Sequence, residues 1–400
     1  MRIALAYSGG LDTSVIIPWL KEHYDAEVIA VTANLGQHED YPRLRQKALA
    51  SGASDVWISD CRQEFLEQYA FPMVQAEALY EGQYLLGTAI ARPLIAKKLV
   101  EGAALYGADA VAHGATGKGN DQVRFEVGVM ALNPTLKIIA PWRLWDLKGR
   151  SDEMEYAARH GIPVDSTPSS PYSRDENLWH ISHEGGVIED PARPVPADVY
   201  TWTVAPEDAP DVPETLQIEF KAGVPVSLNQ QPLDSVKLLE SLNQAGARHG
   251  VGRVTMVENR LVGIKSRGVY ETPGGTILYA AHHALGTLTW DRELLAYVQD
   301  TGVRLARLAY DGLWFSPLRE ALMAAVLSAN QRVSGTVTVK LFKGRVTAEA
   351  VDAAPYSLYS QELATFDQSQ FSHQDAAGFI RLWGLSSQVN GAVSRDRIQS

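Results

Sequence analysis

The feature that most limits what this chain can fold into is the alternation in its first 165 or so residues, where short apolar runs are each followed by a stretch of helical spacing. Such alternation belongs to βαβ units and a mostly parallel sheet. "RIALAY" reads as a buried strand, and Val15, Ile16, Trp19, Leu20 and His23 then fall at helical spacing, predicting a helix over 12–24. Pro18 is awkward inside that helix and costs least if it lies in the first turns. Further strands are expected at "EVIAVTAN" (27–34), "SDVWISD" (54–60), "ADAVAHG" (108–114) and "LKIIAP" (136–141). Helices are expected at 39–51 and near 62–70, 75–81, 88–106 and 151–160. The fold class is therefore α/β, with a doubly wound, mostly parallel sheet over residues 1–165.

The texture changes at "IPVDSTPSSPYSRDENLWHISHEGG" and again at "EDPARPVPADVYTWTVAPEDAPDVPE". The second stretch, rich in Pro, Ala and acids, reads as an extended linker or surface arm. Beyond it, strand-like alternation in "LQIEFKAGVPVSLN", "GRVTMVENRLVGIKSRGVYET" and "VSGTVTVKLFKGRVTAEAV" is interspersed with helical patterns at 234–248, 290–301 and 316–330. This predicts a second, α+β domain over residues 166–364. The polar, weakly helical tail, 365–400, is expected to dock on another subunit.

Charge and composition exclude several classes. With 36 basic against 47 acidic residues and a net charge of −11, the chain lacks the basic face a nucleic-acid binder needs. One cysteine, Cys61, allows no internal disulfide and fits a reducing compartment. No apolar segment reaches membrane-span length, and "MRIALAYSGG" is too short in basic and apolar residues for a signal peptide. A cytoplasmic protein without membrane or nucleic-acid partners is expected.

Against that acidic background "AYSGGLDTS", Ala6 to Ser14, stands out. It follows the first strand, where open α/β sheets bind phosphates. Gly9 and Gly10 permit positive φ and close backbone approach, Ser8, Thr13 and Ser14 supply hydroxyls, and the helix start near Asp12 offers free N–H groups. Taken alone, a glycine pair here is also an ordinary tight turn. A Walker A loop is excluded, because Ala112 stands where its first glycine is required and Gly119 follows Lys118; G-x-G-x-x-G, H-E-x-x-H and G-x-S-x-G are absent too. A second string, "GATGKGNDQVRF" (Gly114 to Phe125), packs a hydroxyl, an amide, a carboxylate and two cations into one turn and helix start. N-capping by Asn120 or Asp121 accounts for one or two of these residues, not all.

"SGGLDTS" resembles the pyrophosphate loop of the N-type ATP pyrophosphatases, which cleave ATP between the α and β phosphates. "AYSGGLDTS" and "GATGKGNDQVRF" together are similar to the two signatures of the argininosuccinate synthase family. The likeness continues through "ALYEGQYLLGTAIARPLIAK", "PYSRDENLWHISHEGG", "ENRLVGIKSRGVYETPGGTILY" and "SLYSQEL", up to about residue 380.

The resemblance implies an adenine nucleotide alpha-hydrolase-like domain and a homotetramer with crossing C-terminal tails. It implies an ATP-dependent ligase that joins L-citrulline to L-aspartate through a citrullyl-adenylate, releasing AMP and pyrophosphate in arginine biosynthesis. By motif position Ala6, Tyr7, Ser8, Gly9, Gly10, Leu11, Asp12, Thr13 and Ser14 hold ATP, with Ala33 and Gly114 on its adenine and ribose side. Thr116, Asn120 and Asp121 match the aspartate site. Asn120 and Arg124 also reach citrulline, whose other contacts match Tyr84, Thr88, Ala89, Ser173, Ser182, Glu258 and Tyr270. Arg124 suits the citrulline carboxylate, and Glu258 its ammonium or ureido N–H.

No covalent nucleophile and no dedicated protein metal site are expected. Mg2+ is carried with ATP, held by phosphate oxygens and Asp12. Arg92, Lys118, Lys265 and Arg267 are the basic residues expected nearest the phosphates. Ala89 stands where the family often has serine, so any contact there is through backbone. The last residues, "RLWGLSSQVNGAVSRDRIQS", drift from the pattern. His180 and His183, three apart, have the spacing of a metal pair but lack a third ligand pattern and are read as structural. Two alternatives stay open on residues alone: another enzyme with the same loop, and a nucleotide-binding protein without turnover.

Overall fold

In the computed structural model, which describes residues 1–117, 119–147, 149–163, 172–365 and 373–399, the first apolar run is strand β1 (Arg2–Ala6). Its alternation has a direct structural reason. Ile3 and Leu5 pack into one buried layer and Ala4 into another, as Val28 and Ala30 do opposite Ile29 and Val31 in β2 (Glu27–Asn34). Helix α1 (Leu11–Tyr24) joins these two strands, and α2 (Tyr41–Ala50) leads to β3 (Asp55–Asp60). After α3 (Arg62–Phe65), a π-helical turn at Leu66–Ala70 and α4 (Phe71–Gln75), the long α5 (Gly87–Tyr106) returns to β4 (Ala110–Ala112). Then come α6 (Asp121–Leu132), β5 (Lys137–Ile139) and α7 (Arg150–Arg159).

The five strands form an all-parallel sheet in the order β3-β2-β1-β4-β5. The chain leaves β1 in one direction and returns on its other side at β4. That reversal opens a crevice at the carboxyl ends of β1 and β4, the place where such sheets bind ligands. Apolar residues of α1 and α7 pack on one face of the sheet and those of α5 and α6 on the other, the doubly wound arrangement.

Local expectations differ from the structure in places. Pro18 lies well inside α1 rather than in its first turns, and the buried Ile16, Ile17 and Trp19 hold the helix across the missing donor. The helix expected at 75–81 ends at Gln75, since Glu77 and Glu81 both take positive φ and Tyr80 bridges to Tyr84. The 164–171 stretch, with the expected domain boundary at 165, lies outside the described residues, as does Lys118.

The second half is antiparallel. Strands β6 (Ser173–Glu176) and β7 (Ile181–Glu184) pair with each other. Next in the chain come β8 (Glu214–Lys221), β9 (Val224–Leu228), β10 (Gln231–Pro232) and helix α8 (Ser235–Arg248). Strands β11 (Arg253–Asn259) and β12 (Lys265–Glu271) complete a four-stranded sheet, β11-β12-β7-β6. Helices α9 (Pro273–Thr289), α10 (Arg292–Tyr310) and α11 (Pro317–Ala329) precede β13 (Gly335–Phe342) and β14 (Arg345–Asp352), which close a second sheet, β10-β9-β8-β13-β14. Helix α9 is absent from the sequence expectations because Gly274, Gly275 and Gly286 blur its pattern. The core of this half also takes in Phe65, Phe71 and Leu94 from the first 165 residues.

The Pro-rich stretch is irregular but tied down. Fully buried Glu271 accepts the N–H groups of Thr201 (2.8 Å), Trp202 (3.1 Å) and Thr203 (2.7 Å) and pairs with His183 (2.9 Å). Burial alone raises its pKa, but these hydrogen bonds outweigh it and hold the carboxyl below its ordinary value.

Residues Met1–Tyr356 form one compact unit and Ser357–Ser400 a second. The second carries α12 (Gln361–Ala364), α13 (His373–Trp383) and α14 (Leu385–Gln399), on which Phe379, Ile380, Leu382 and Trp383 are all more than half exposed.

Candidate active site

The loop from β1 into α1 is shaped by its small and hydroxylated residues. Gly9 takes φ +77°, and a Cβ there would lie 3.2 Å from Leu44, so the turn favours glycine twice over. Gly10 caps α1 without a side chain, leaving the first-turn N–H groups directed at the crevice. Ser8 and Thr13 share a hydrogen bond of 3.2 Å. Ser14 is fully buried behind the loop, between the Tyr7 hydroxyl (3.0 Å) and the Gly10 carbonyl (2.8 Å).

In front of this loop is a cavity of about 740 Å³. Ala6, Tyr7, Ser8, Gly10, Leu11, Asp12, Thr13, Ala33 and Gly114 line it; Gly9 and Ser14 do not, and shape the loop from behind. Beneath the loop Asp12 meets Glu153 of α7, which is 2% exposed. Burial and the neighbouring Asp12 carboxylate push the Glu153 carboxyl up to about 8, so it remains a proton donor at neutral pH.

A second cavity of about 510 Å³ opens from the same crevice and shares Ser8, Asp12, Arg92, Gly114, Asp121 and Ser173 with the first. Its walls come from both halves of Met1–Tyr356. Tyr84, Thr88, Thr116, Asn120, Asp121 and Arg124 line it from the first half, and Ser173, Ser182, Glu258 and Tyr270 from the second. Ala89 is the exception among the expected residues, fully buried in the core and on neither wall.

Charges in this cavity are arranged in a chain. Arg92 donates to Asp121 (2.8 Å) and Asp175 (2.6 Å), and Asp175 also accepts the Thr88 hydroxyl (2.7 Å). Arg124 donates to Asp121 (3.0 Å) and to the Tyr310 carbonyl (2.9 Å). Burial would raise the Asp121 pKa, but the two guanidinium groups hold it below the usual range. Arg124 is 4% exposed, and its second terminal nitrogen, Nη2, is buried with no hydrogen-bond partner among the described residues. Opposite in charge, the Glu258 carboxylate accepts hydroxyl hydrogen bonds from Tyr270 and Tyr310. Asn120 accepts the Leu261 N–H (2.9 Å), and the Tyr84 hydroxyl accepts the Thr88 N–H (3.0 Å).

Of the basic residues expected nearest the phosphates, Lys118 lies outside the described residues, and of the described three only Arg92 lines these two cavities. Lys265 donates to Asn259 (2.7 Å), and Arg267 ties down the carbonyls of Asp190 (2.7 Å) and Arg193 (2.8 Å). Arg174, Asp175 and Tyr310 on the cavity walls were not anticipated. "YSRDEN" held a signal for the first two, directly after Ser173; Tyr310, in an ordinary helical pattern, gave none. His180 and His183 are fully buried and turned to different partners, Thr88 (3.1 Å) and Glu271 (2.9 Å). Burial pushes the His180 pKa down to about 4, keeping it neutral.

Comparison with known proteins covers both halves of the chain. The arginosuccinate synthase N-terminal HUP domain model matches residues 2–163, and the arginosuccinate synthase C-terminal domain model matches residues 172–390. Argininosuccinate synthases of Desulforamulus reducens and Desulfitobacterium hafniense are 58% and 56% identical to this chain over 395 residues, 98% of each chain. That of Pelotomaculum thermopropionicum is 57% identical with the same coverage.

Proposed function

The chain belongs to the argininosuccinate synthase family and is an ATP-dependent ligase of citrulline and aspartate in arginine biosynthesis, and on that premise we propose a division of labour between its two cavities. The first takes ATP, with phosphates at the loop and the N-terminus of α1, and adenine and ribose toward Ala33 and Gly114. Magnesium fits this wall: it takes oxygen ligands and keeps several waters, and Asp12 brings carboxyl oxygens to the cavity lining. Bound with ATP, it offsets phosphate charge; holding Asp12 at the loop is the chain's own part.

The second cavity takes both amino acids. Arg124 grips the citrulline carboxylate and Glu258 its ammonium group, with Tyr84, Thr88, Ser173, Ser182 and Tyr270 around them. Thr116, Asn120 and Asp121 face aspartate. The observation that carries this reading is that one cavity is lined by both Arg124 and Glu258, a cation and an anion matching the two charged ends of an α-amino acid.

Chemistry falls where the cavities join. The ureido oxygen attacks the α-phosphorus and pyrophosphate leaves; the aspartate amine then attacks the activated carbon, and AMP leaves with the original ureido oxygen. Arg174 borders both cavities and supplies positive charge at that junction, where Arg92 is held by Asp121 and Asp175. No enzyme nucleophile is required, so catalysis is positioning and charge stabilisation.

A division at about 165 and 365, a homotetramer and a cytoplasmic location belong to the same reading. The exposed apolar face of α13 supports an assembly contact, and the single buried cysteine supports a reducing compartment. The test is Arg124→Gln in citrulline-dependent ATP–pyrophosphate exchange. The citrulline KM is expected to rise about a hundredfold, as for loss of a charge-assisted contact, with the ATP KM within twofold. An unchanged citrulline KM overturns the assignment.

A further inference from the structure

Tyr310, the last residue of α10, is 1% exposed and touches both opposite charges of the second cavity. Its hydroxyl donates to the Glu258 carboxylate, its carbonyl accepts Arg124 Nε at 2.9 Å, and the Arg124 guanidinium lies 4.8 Å over its ring. The ring is itself fixed. It stacks on Tyr80 with centroids 3.6 Å apart and planes 2° from parallel, and Tyr84 meets it edge-on at 6.3 Å. Tyr80 is tied in turn to the Asn259 carbonyl, one residue from Glu258, at 2.7 Å.

We propose that Tyr310 is a positioning residue that sets the spacing of Arg124 and Glu258 to that of the carboxylate and ammonium of one α-amino acid. The inference rests on the reading that these two residues grip the citrulline head. One charge sits on the ring's hydroxyl and the other over its face, so about one ring separates them. The two charges of an amino acid head span that gap with one hydrogen bond of about 3 Å at each end. Held by two phenols, Glu258 keeps its orientation before substrate arrives, which lowers the ordering cost of binding. Burial, with Glu258 beside it, raises the Tyr310 phenol well above its ordinary pKa, so it stays a donor.

Two ligands separate this from a merely structural role: citrulline, and 5-ureidopentanoic acid, which lacks only the α-ammonium group. Tyr310→Phe keeps the ring and the carbonyl and loses the bond to Glu258. We expect the citrulline KM in ATP–pyrophosphate exchange to rise about tenfold, the worth of one hydrogen bond to a charged group. The ATP KM and the inhibition constant of 5-ureidopentanoic acid should stay within twofold. The ratio of the two ligand constants does not depend on how much of the sample is folded.

If the wild-type protein binds both ligands alike, the assignment of Glu258 to the ammonium fails. If it discriminates, but Tyr310→Phe weakens both ligands equally or neither, the positioning role is overturned. Should Tyr310→Phe not fold, Tyr80→Leu, which removes the stacked support, decides: a citrulline KM raised severalfold over the ATP KM supports the role, and unchanged constants refute it.

Discussion

Replacing Glu153 with glutamine should leave stability near pH 4 almost unchanged and raise it above about pH 8. Glu153 is 2% exposed, one of its oxygens has no partner, and its other close neighbour is the Asp12 carboxylate. Its carboxyl therefore titrates near 8 when folded, against an ordinary 4.5. Below the ordinary value both states are protonated and the group is neutral to stability. As pH rises from there the unfolded chain ionises first, so stability falls, and the loss is complete once pH passes the folded value. At about 1.4 kcal/mol for each tenfold step the full loss approaches 4–5 kcal/mol. Rearrangement around the charged group makes about 2–4 kcal/mol the expected gain in Glu153→Gln. Glutamine can still donate to Asp12, but it has no proton to lose. Urea unfolding of both proteins at about pH 4 and pH 8.5, compared by midpoint, measures the effect. A difference between the proteins that is the same at both values refutes the shared-proton argument.

Asp121 is expected to serve aspartate, yet it also holds both Arg92 and Arg124. Asp121→Asn should therefore abolish ligation and also raise the citrulline KM about tenfold; pyrophosphate exchange with wild-type citrulline dependence would show that the arginines do not need it. Gly87 lies under the His180 ring, and a Cβ there would stand 2.2 Å from its Cγ. Gly87→Ala should cost about 2 kcal/mol or more and lower the melting temperature, while Gly378→Ala, with nothing within 4 Å, should not.

The loop that lines the first cavity was legible in the chain because it is local. A buried strand, two glycines, hydroxyls and a helix start within nine residues fix a phosphate cradle by backbone geometry alone, and the 3-2-1-4-5 sheet sets it at the crevice. That Tyr84, Arg124, Ser182 and Glu258 line one cavity was legible only through resemblance, since they share no sequence period. What stayed hidden was whatever depends on long-range pairing: the burial of Ser14 and Ala89, the tethering of Arg267 to loop carbonyls, the proton between Asp12 and Glu153, and Tyr310 beneath two opposite charges. Helix α9 escaped for a related reason, because Gly274 and Gly275 at its start answer to neighbours far along the chain, Asn243, Trp179 and Leu85. Sequence periodicity determined which segments are strands and helices and where a phosphate can sit. Which charges are buried, and against which partners, was decided by the tertiary structure, because desolvation and pairing act between residues that only folding brings together.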